Sequence, residues 1–373
     1  MAELNETPRG NRRHIAFFGL RNAGKSTLVN ALTGQPVSLV SAVAGTTTDP
    51  VSKAMEIAPL GPCLVTDTAG LDDEGELGLQ RVARSREVLA TSDIAVWVSA
   101  DPSNPADIAA RAAFEAACAR RGVALLAYTR GDDVAAFRQR LAATAPLDRE
   151  RPLLEGLVSA GDRVVCVCPI DAGAPKGRLI LPQQQTIRAA LEAGATVAVV
   201  TPDTLLREVT PRDLVVTDSQ AFARVRDALS ASSIKPRLTG FSILFARQKG
   251  DFEAYRAGLS AIQTLRAGDR VLIAEGCTHH RQCGDIGTVK LPAALRRLAK
   301  VDLEFVFASG AAQPDWTGAR LLVQCGGCML TTREVKRRLE AAQSQGLAVV
   351  NYGLVLAAAA GMNQVDAQGF VQY

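Results

Sequence analysis

The sequence predicts an α/β protein built as three parallel-sheet units in series. Three observations predict it. Strand-like and helix-like segments alternate along the 373 residues, as they do in parallel sheets. A chain of that length exceeds what one core usually holds. A short apolar strand, a Gly-rich turn and a helix follow one another over residues 14–32, the context of a phosphate-binding P-loop.

Residues 1–13 are polar, lack the apolar core of a signal peptide, and are expected to form a disordered tail. The first unit is assigned to residues 14–174. Its candidate strands are 14–18, 63–66, 94–99, 123–128 and 164–168. Residues 171–178, Asp-Ala-Gly-Ala-Pro-Lys-Gly-Arg, are rich in turn formers and read as a linker. A second unit, 175–274, follows with a helix over 181–193 and strands at 196–200, 214–217 and 238–245. A third α/β stretch begins with a strand near 271–273 and continues through strands at 301–307, 320–323 and 348–350; the third unit is assigned to 275–373.

Gly19-Leu20-Arg21-Asn22-Ala23-Gly24-Lys25-Ser26 fits G-x-x-x-x-G-K-[ST] at every fixed position. In that motif the glycines let backbone N–H groups close around phosphates, and the helix N-terminus adds its positive end. Lys25 would reach the β- and γ-phosphates, and Ser26 would hold Mg²⁺. Gly19, Asn22, Ala23, Gly24, Lys25, Ser26 and Thr27 are therefore expected to line the nucleotide. Two further features come in the order a GTPase needs. Gly45-Thr46-Thr47-Thr48-Asp49 resembles the G-T-T-x-D loop of some GTPases, which makes Thr47 the expected second Mg²⁺ ligand and γ-phosphate sensor. Asp67-Thr68-Ala69-Gly70 is a D-x-x-G arrangement after a strand, with Asp67 on a Mg²⁺-bound water and the Gly70 N–H on the γ-phosphate. Lys25, Thr47 and Gly70 are the expected catalytic set, in a P-loop GTPase of the Ras-like, TrmE/Era type.

The purine end departs from N-K-x-D: it reads Thr129-Arg130-Gly131-Asp132. Asp132 could still accept hydrogen bonds from guanine, so GTP is expected over ATP; a turn aspartate is the plainer reading. Leu71 stands where some GTPases carry a water-positioning Gln, so hydrolysis is expected to be slow. Asn22 matches, by resemblance, the asparagine that holds K⁺ in cation-activated GTPases, or it is a turn former.

Cys277-Thr278-His279-His280 and Cys325-Gly326-Gly327-Cys328 form a second constellation. Each follows a strand of the third unit, so parallel strands would bring the three thiols to one rim. Two of the chain's three histidines stand there. Incidental thiols, a Cys₃His zinc site using His279, and a three-thiolate iron–sulfur site all fit the spacing. Cys63, Cys118, Cys166 and Cys168 lie in or beside apolar segments and read as buried thiols.

Composition is that of an ordinary globular chain, 47% hydrophobic and 21% charged, with net charge +4. This charge is too mild to imply nucleic-acid binding, and no apolar run is long enough to span a bilayer. No nucleic-acid or membrane partner is expected, and the location is expected to be cytoplasmic.

Several segments together resemble HydF, the family of GTPase scaffolds that mature FeFe-hydrogenase. They are residues 19–26, 67–75, 169–179, 217–220, 275–280, Cys325-Gly-Gly-Cys-Met329 and Asn351-Tyr-Gly353. The resemblance implies a GTPase domain, a dimerisation domain and a cluster-binding domain. It implies a 4Fe–4S cluster on Cys277, Cys325 and Cys328 and a transient diiron subcluster as cargo. The implied partners are the radical-SAM maturases HydE and HydG, apo FeFe-hydrogenase, and a second copy in a dimer or a dimer of dimers. Gln324 stands where the family has a histidine, and the fourth ligand is open among His279, His280, Cys283, Asp171 and an exchangeable site. The alternative is a regulatory or RNA-modifying P-loop GTPase with a structural zinc domain.

Overall fold

The structure is a computed structural model that describes residues 7–34, 51–73, 75–144, 151–170, 179–276, 285–310 and 315–373. The chain divides into two compact units, Met1–Arg149 and Glu150–Tyr373.

The first unit holds a five-stranded sheet. Its strands are β1 (Arg13–Phe18), β2 (Val51–Ile57), β3 (Gly61–Asp67), β4 (Ile94–Ser99) and β5 (Ala124–Thr129), in the order β2-β3-β1-β4-β5. All neighbours are parallel except β2, which runs antiparallel to β3 at the edge. Every residue of β4 is buried, because helices cover both faces of the sheet. Alternation along the strands feeds two cores. Ile15, Phe17, Val96 and Val98 pack on one face, and Ala16, Phe18, Ala95 and Trp97 on the other. The helix Pro105–Arg121 starts on proline behind an Asn104 cap, whose side chain accepts from the Ala106 N–H at 2.9 Å.

The second unit holds two four-stranded sheets, both wholly parallel. One is β6 (Arg163–Val167), β7 (Thr196–Val200), β8 (Leu214–Thr217) and β9 (Arg237–Gly240), ordered β7-β6-β8-β9. The other is β10 (Arg270–Ala274), β11 (Glu304–Ala308), β12 (Ala319–Gln324) and β13 (Ala348–Asn351), ordered β11-β10-β12-β13. The sheets share one core: Val165, Val215 and Leu238 belong to the same apolar cluster as Val271, Leu322 and Val349.

Four expectations are corrected. The strand expected at 164–168 of the nucleotide unit is β6, the partner of β7 and β8 in the second sheet; strand pattern alone carries no label for the sheet it joins. The strand expected over 238–245 ends at Gly240, and Phe241–Lys249 is a helix. Seven of its nine residues are buried, so no helical stripe of polar residues marks it. The boundary expected at 274/275 falls at the C-terminal end of β10, which already belongs to the third sheet. Part of the expected N-terminal tail is ordered: Arg9–Asn11 is a 3₁₀ turn, and Arg12 Nε donates to the Thr7 carbonyl at 2.7 Å. The linker at 171–178 lies outside the described residues.

Candidate functional site

Three loops at the C-terminal ends of β1, β3 and β5 build the nucleotide site, where parallel sheets bind ligands. The first is the phosphate loop. Gly19 has φ +150°, and a Cβ there would lie 2.3 Å from the Val98 carbonyl oxygen; only glycine lets the loop pass that close to β4. Gly24, in the left-handed region, caps the helix Lys25–Thr33. Lys25 is 7% exposed, and its Nζ donates to the carbonyls of Leu20 at 2.8 Å and Gly19 at 3.2 Å. Burial lowers its pKa, opposed by Asp67, Asp72 and Asp73. An ammonium held in the arc of its own loop is placed for a phosphate anion.

The second loop follows β3. Ser26 Oγ donates to Asp67 Oδ2 at 2.5 Å. Asp67 Oδ1 is buried and has no hydrogen-bond partner among the described residues. A hydroxyl and an unsatisfied carboxylate side by side are hard oxygen donors that fit Mg²⁺ and its waters. Gly70 sits against the phosphate loop: a Cβ would come within 2.5 Å of Arg21 Cγ and 2.8 Å of the Arg21 nitrogen. The Leu71 N–H donates to the Gly19 carbonyl at 3.2 Å, and the Leu71 side chain packs against the Trp97 cluster.

Sequence reasoning missed Arg21 and Arg130. The Arg21 N–H donates to Asp72 Oδ1 at 2.6 Å, and its guanidinium Nε lies 3.5 Å from Asp73 Oδ1. Arg21 therefore fastens the loop after Asp67 to the phosphate loop. Arg130, counted from sequence as a loss, donates from Nη2 to the Asn22 carbonyl. Its Nε lies 3.3 Å from where a Gly24 Cβ would stand. The third loop thus keeps a cation on the phosphate loop. Asp132 Oδ2 accepts from the Thr129 N–H at 2.9 Å, closing the turn, and the residue is exposed. Asn22 has φ +59°, a conformation asparagine tolerates better than most residues. Ala23 is buried, and Thr27 is in the first turn of the helix. Thr47 lies outside the described residues.

The second unit carries the cysteines of the second constellation. β10 and β12 are neighbours, with Ala274 opposite Gln324, so both chains leave the sheet at one edge. Beyond it, the Gly276 N–H donates to Cys325 Sγ at 3.0 Å. Gly276 immediately precedes Cys277 in the sequence. Gly327 turns the chain through φ +69° on the way to Cys328. Burial pushes the Cys328 thiol up to about 11, and Lys249 opposes the rise. Lys249, 1% exposed, donates from Nζ to the carbonyls of Leu330 at 2.7 Å and Gly327 at 3.2 Å. Two sulfurs on a Gly-Gly turn with an N–H donor at one of them fit a thiolate-bound metal or cluster. Cys277, His279, His280, Cys283 and Asp171 lie outside the described residues. Among the described residues, no three His, Cys, Asp or Glu side chains gather as a metal site. Cys63, Cys118, Cys166 and Cys168 are buried as expected.

Fold and loops together define a P-loop GTPase domain joined to a two-sheet α/β unit with a cysteine loop. Residues 14–123 match the family described as 50S ribosome-binding GTPase. Residues 153–250 match the hydrogen maturase F dimerization domain, and residues 253–365 the hydrogen maturase F tetramerization domain. The chain belongs to the hydrogen maturase F (HydF) family. Among curated relatives, the tRNA modification GTPase MnmE of Verminephrobacter eiseniae is 40% identical over 144 residues, 36% of this chain and 29% of the relative. The GTPase Der of Sulfurimonas denitrificans is 42% identical over 106 residues, 28% of this chain and 21% of the relative. The chain thus aligns with under a third of these relatives' length. A solved structure of Aquifex aeolicus Era bound to GDP·AlF4⁻ covers 81% of this chain and 94% of that one, at 16% identity and a TM-score of 0.27. Among the described residues, no helix is long and apolar enough to cross a membrane.

Proposed function

We propose that the protein is a GTP-hydrolysing scaffold that carries a diiron H-cluster precursor and delivers it to apo FeFe-hydrogenase. Its donors are the radical-SAM maturases HydE and HydG. Lys25 neutralises the β- and γ-phosphates, and Ser26 with Thr47 holds Mg²⁺. Asp67 orients a Mg²⁺-bound water, and the Gly70 N–H reads the γ-phosphate. Asn22 holds K⁺, and Asp132 takes guanine. Leu71 offers no group to orient the attacking water, so turnover is slow. The loops at Thr47 and Gly70 order around the γ-phosphate and are released on hydrolysis, which makes GTP a switch on partner affinity rather than a source of redox chemistry. Cys277, Cys325 and Cys328 hold a 4Fe–4S cluster, which when bound supplies an iron with an exchangeable position for the cargo. Self-association as a dimer or a dimer of dimers fits the two family domains of the second unit.

The observation that carries this reading is the placement of the Cys325–Cys328 turn against Gly276 in a chain whose other unit is a GTPase domain. The test is metal analysis of the full chain purified without oxygen, wild type beside Cys325→Ala. About four irons per chain and a reduced-cluster EPR signal lost in the variant support it. About one zinc and no iron would replace it with a regulatory GTPase bearing a structural zinc site.

A further inference from the structure

Gln324 is the last residue of β12 and is completely buried. Its amide stands between a cation and a sulfur. Arg338, itself 5% exposed, brings Nη1 to 3.1 Å from the amide oxygen. On the other side the amide nitrogen is 3.5 Å from Cys325 Sγ and 3.4 Å from the Cys325 carbonyl oxygen, one N–H for each. A guanidinium has donors and no acceptor, so only the amide oxygen can face it. This chemistry fixes the amide's orientation and turns the NH₂ group toward the sulfur. The orienting group is held in turn, because Arg338 Nη2 donates to the Gly310 carbonyl at 2.5 Å. The backbone of Gln324 is pinned as well. Asn351 Nδ2 donates to the Gln324 carbonyl at 3.2 Å, and Asn351 Oδ1 accepts from the Gly353 N–H at 2.7 Å.

We infer that Gln324 is a positioning residue for the cluster: aimed by Arg338, its amide donates an N–H to the Cys325 sulfur and does not bind iron. An amide nitrogen has no free lone pair to offer a metal, and the amide oxygen is committed to Arg338. Neither atom is left as a ligand. Together with the Gly276 N–H, the amide gives Cys325 two N–H donors on one sulfur. Donors of this kind draw electron density from a thiolate and favour the more negative, reduced state of what it holds. This inference rests on the scaffold reading above, in which Cys325 holds a cluster.

Gln324→Glu keeps the shape and the oxygen facing Arg338 but has no N–H for the sulfur. Gln324→Met removes the N–H without adding charge. Both are made in the full chain, loaded with iron and sulfide without oxygen, and titrated for midpoint potential by EPR. Both variants are expected to hold wild-type iron and to have lower potentials. For Gln324→Glu the reduction equilibrium falls at least tenfold, about 59 mV for a one-electron couple. Gln324→Met shifts the same way by less, and decides the matter where the glutamate variant fails to fold. Unchanged potentials at full iron content would overturn the donor role and leave the scaffold standing. Loss of iron from both variants would make Gln324 a ligand or a prop and overturn it too. Wild type without iron would remove the scaffold reading and this inference together.

Discussion

Replacing Ser26 by alanine tests whether the Mg²⁺ shell is built before the nucleotide arrives. Asp67 is 6% exposed, and its one side-chain hydrogen bond among the described residues is the 2.5 Å contact from Ser26 Oγ. Without the hydroxyl, neither buried carboxylate oxygen has a hydrogen-bond partner among the described residues. A hydrogen bond to a charged group contributes about 1.5–3 kcal/mol. Attraction between Asp67 and the Lys25 ammonium takes up part of the loss, which favours the lower end of that range. In a domain of about 150 residues, 1 kcal/mol moves the melting midpoint by roughly 2–4 °C. Ser26→Ala should therefore lower the midpoint of the first unit by roughly 3–6 °C in EDTA. Saturating Mg²⁺·GTP, at about 100 times its Kd, stabilises the wild type by about 2.7 kcal/mol. The alanine variant lacks a metal ligand and should gain much less. Ser26→Thr keeps the oxygen and should restore both behaviours. Calorimetry of the full chain with and without Mg²⁺·GTP reads all three proteins. An alanine variant that melts with the wild type in EDTA, and rises as far with nucleotide, would refute the prebuilt shell.

Two further predictions concern the alkali ion and the buried thiols. Asn22→Ala should abolish any excess of GTP turnover in K⁺ over Na⁺ at matched ionic strength; an equal fall in both salts would assign Asn22 to loop shape alone. Burial pushes the thiols of Cys63 and Cys118 up to about 11 and that of Cys166 up to about 12, whereas unfolded cysteines titrate near 8.5. The folded state therefore binds more protons than the unfolded chain between those values. Its stability is whole below about pH 8.5 and falls as pH climbs through 11. Urea midpoints should drop between pH 8 and 10.5, less steeply in Cys118→Ala, and identical slopes would contradict the cause given.

What could be read from sequence was whatever the chain encodes within a few residues. The phosphate loop is legible because Gly19, Gly24 and Lys25 are needed at fixed spacing by local geometry. The Cys325–Cys328 turn is legible for the same reason. Contacts between distant segments were not. Arg130 reaches Asn22 across 108 positions, and Lys249 reaches Gly327 across 78; no periodicity reports such pairs. β2 escaped notice because it is an edge strand with a largely exposed face, so it lacks the apolar run of β1 and β4. The helix Phe241–Lys249 was misread for the opposite reason: burial on nearly all sides erased its period.

The two loops share one physical device. Each wraps its backbone carbonyls around a buried ammonium: Leu20 and Gly19 take Lys25 at 2.8 and 3.2 Å, and Leu330 and Gly327 take Lys249 at 2.7 and 3.2 Å. Carbonyls satisfy the hydrogen-bonding needs of an ammonium, but they carry no net charge. Burying the cation still costs free energy, which nearby anions offset. Around the first loop Asp67, Asp72 and Asp73 already supply negative charge to Lys25, and a bound phosphate would add to it. In the second, on the proposed reading, thiolates at Cys325 and Cys328 would bring negative charge to the turn on binding iron. The lysines differ in origin: Lys25 begins the helix its own loop feeds, whereas Lys249 ends a helix some 80 residues upstream of its loop. A loop that carries its own cation can be found by motif, and a loop that borrows one cannot. That is why the lysine of the phosphate loop could be read from the sequence, while the lysine at the cysteine turn, like the Arg130 contact, needed the fold.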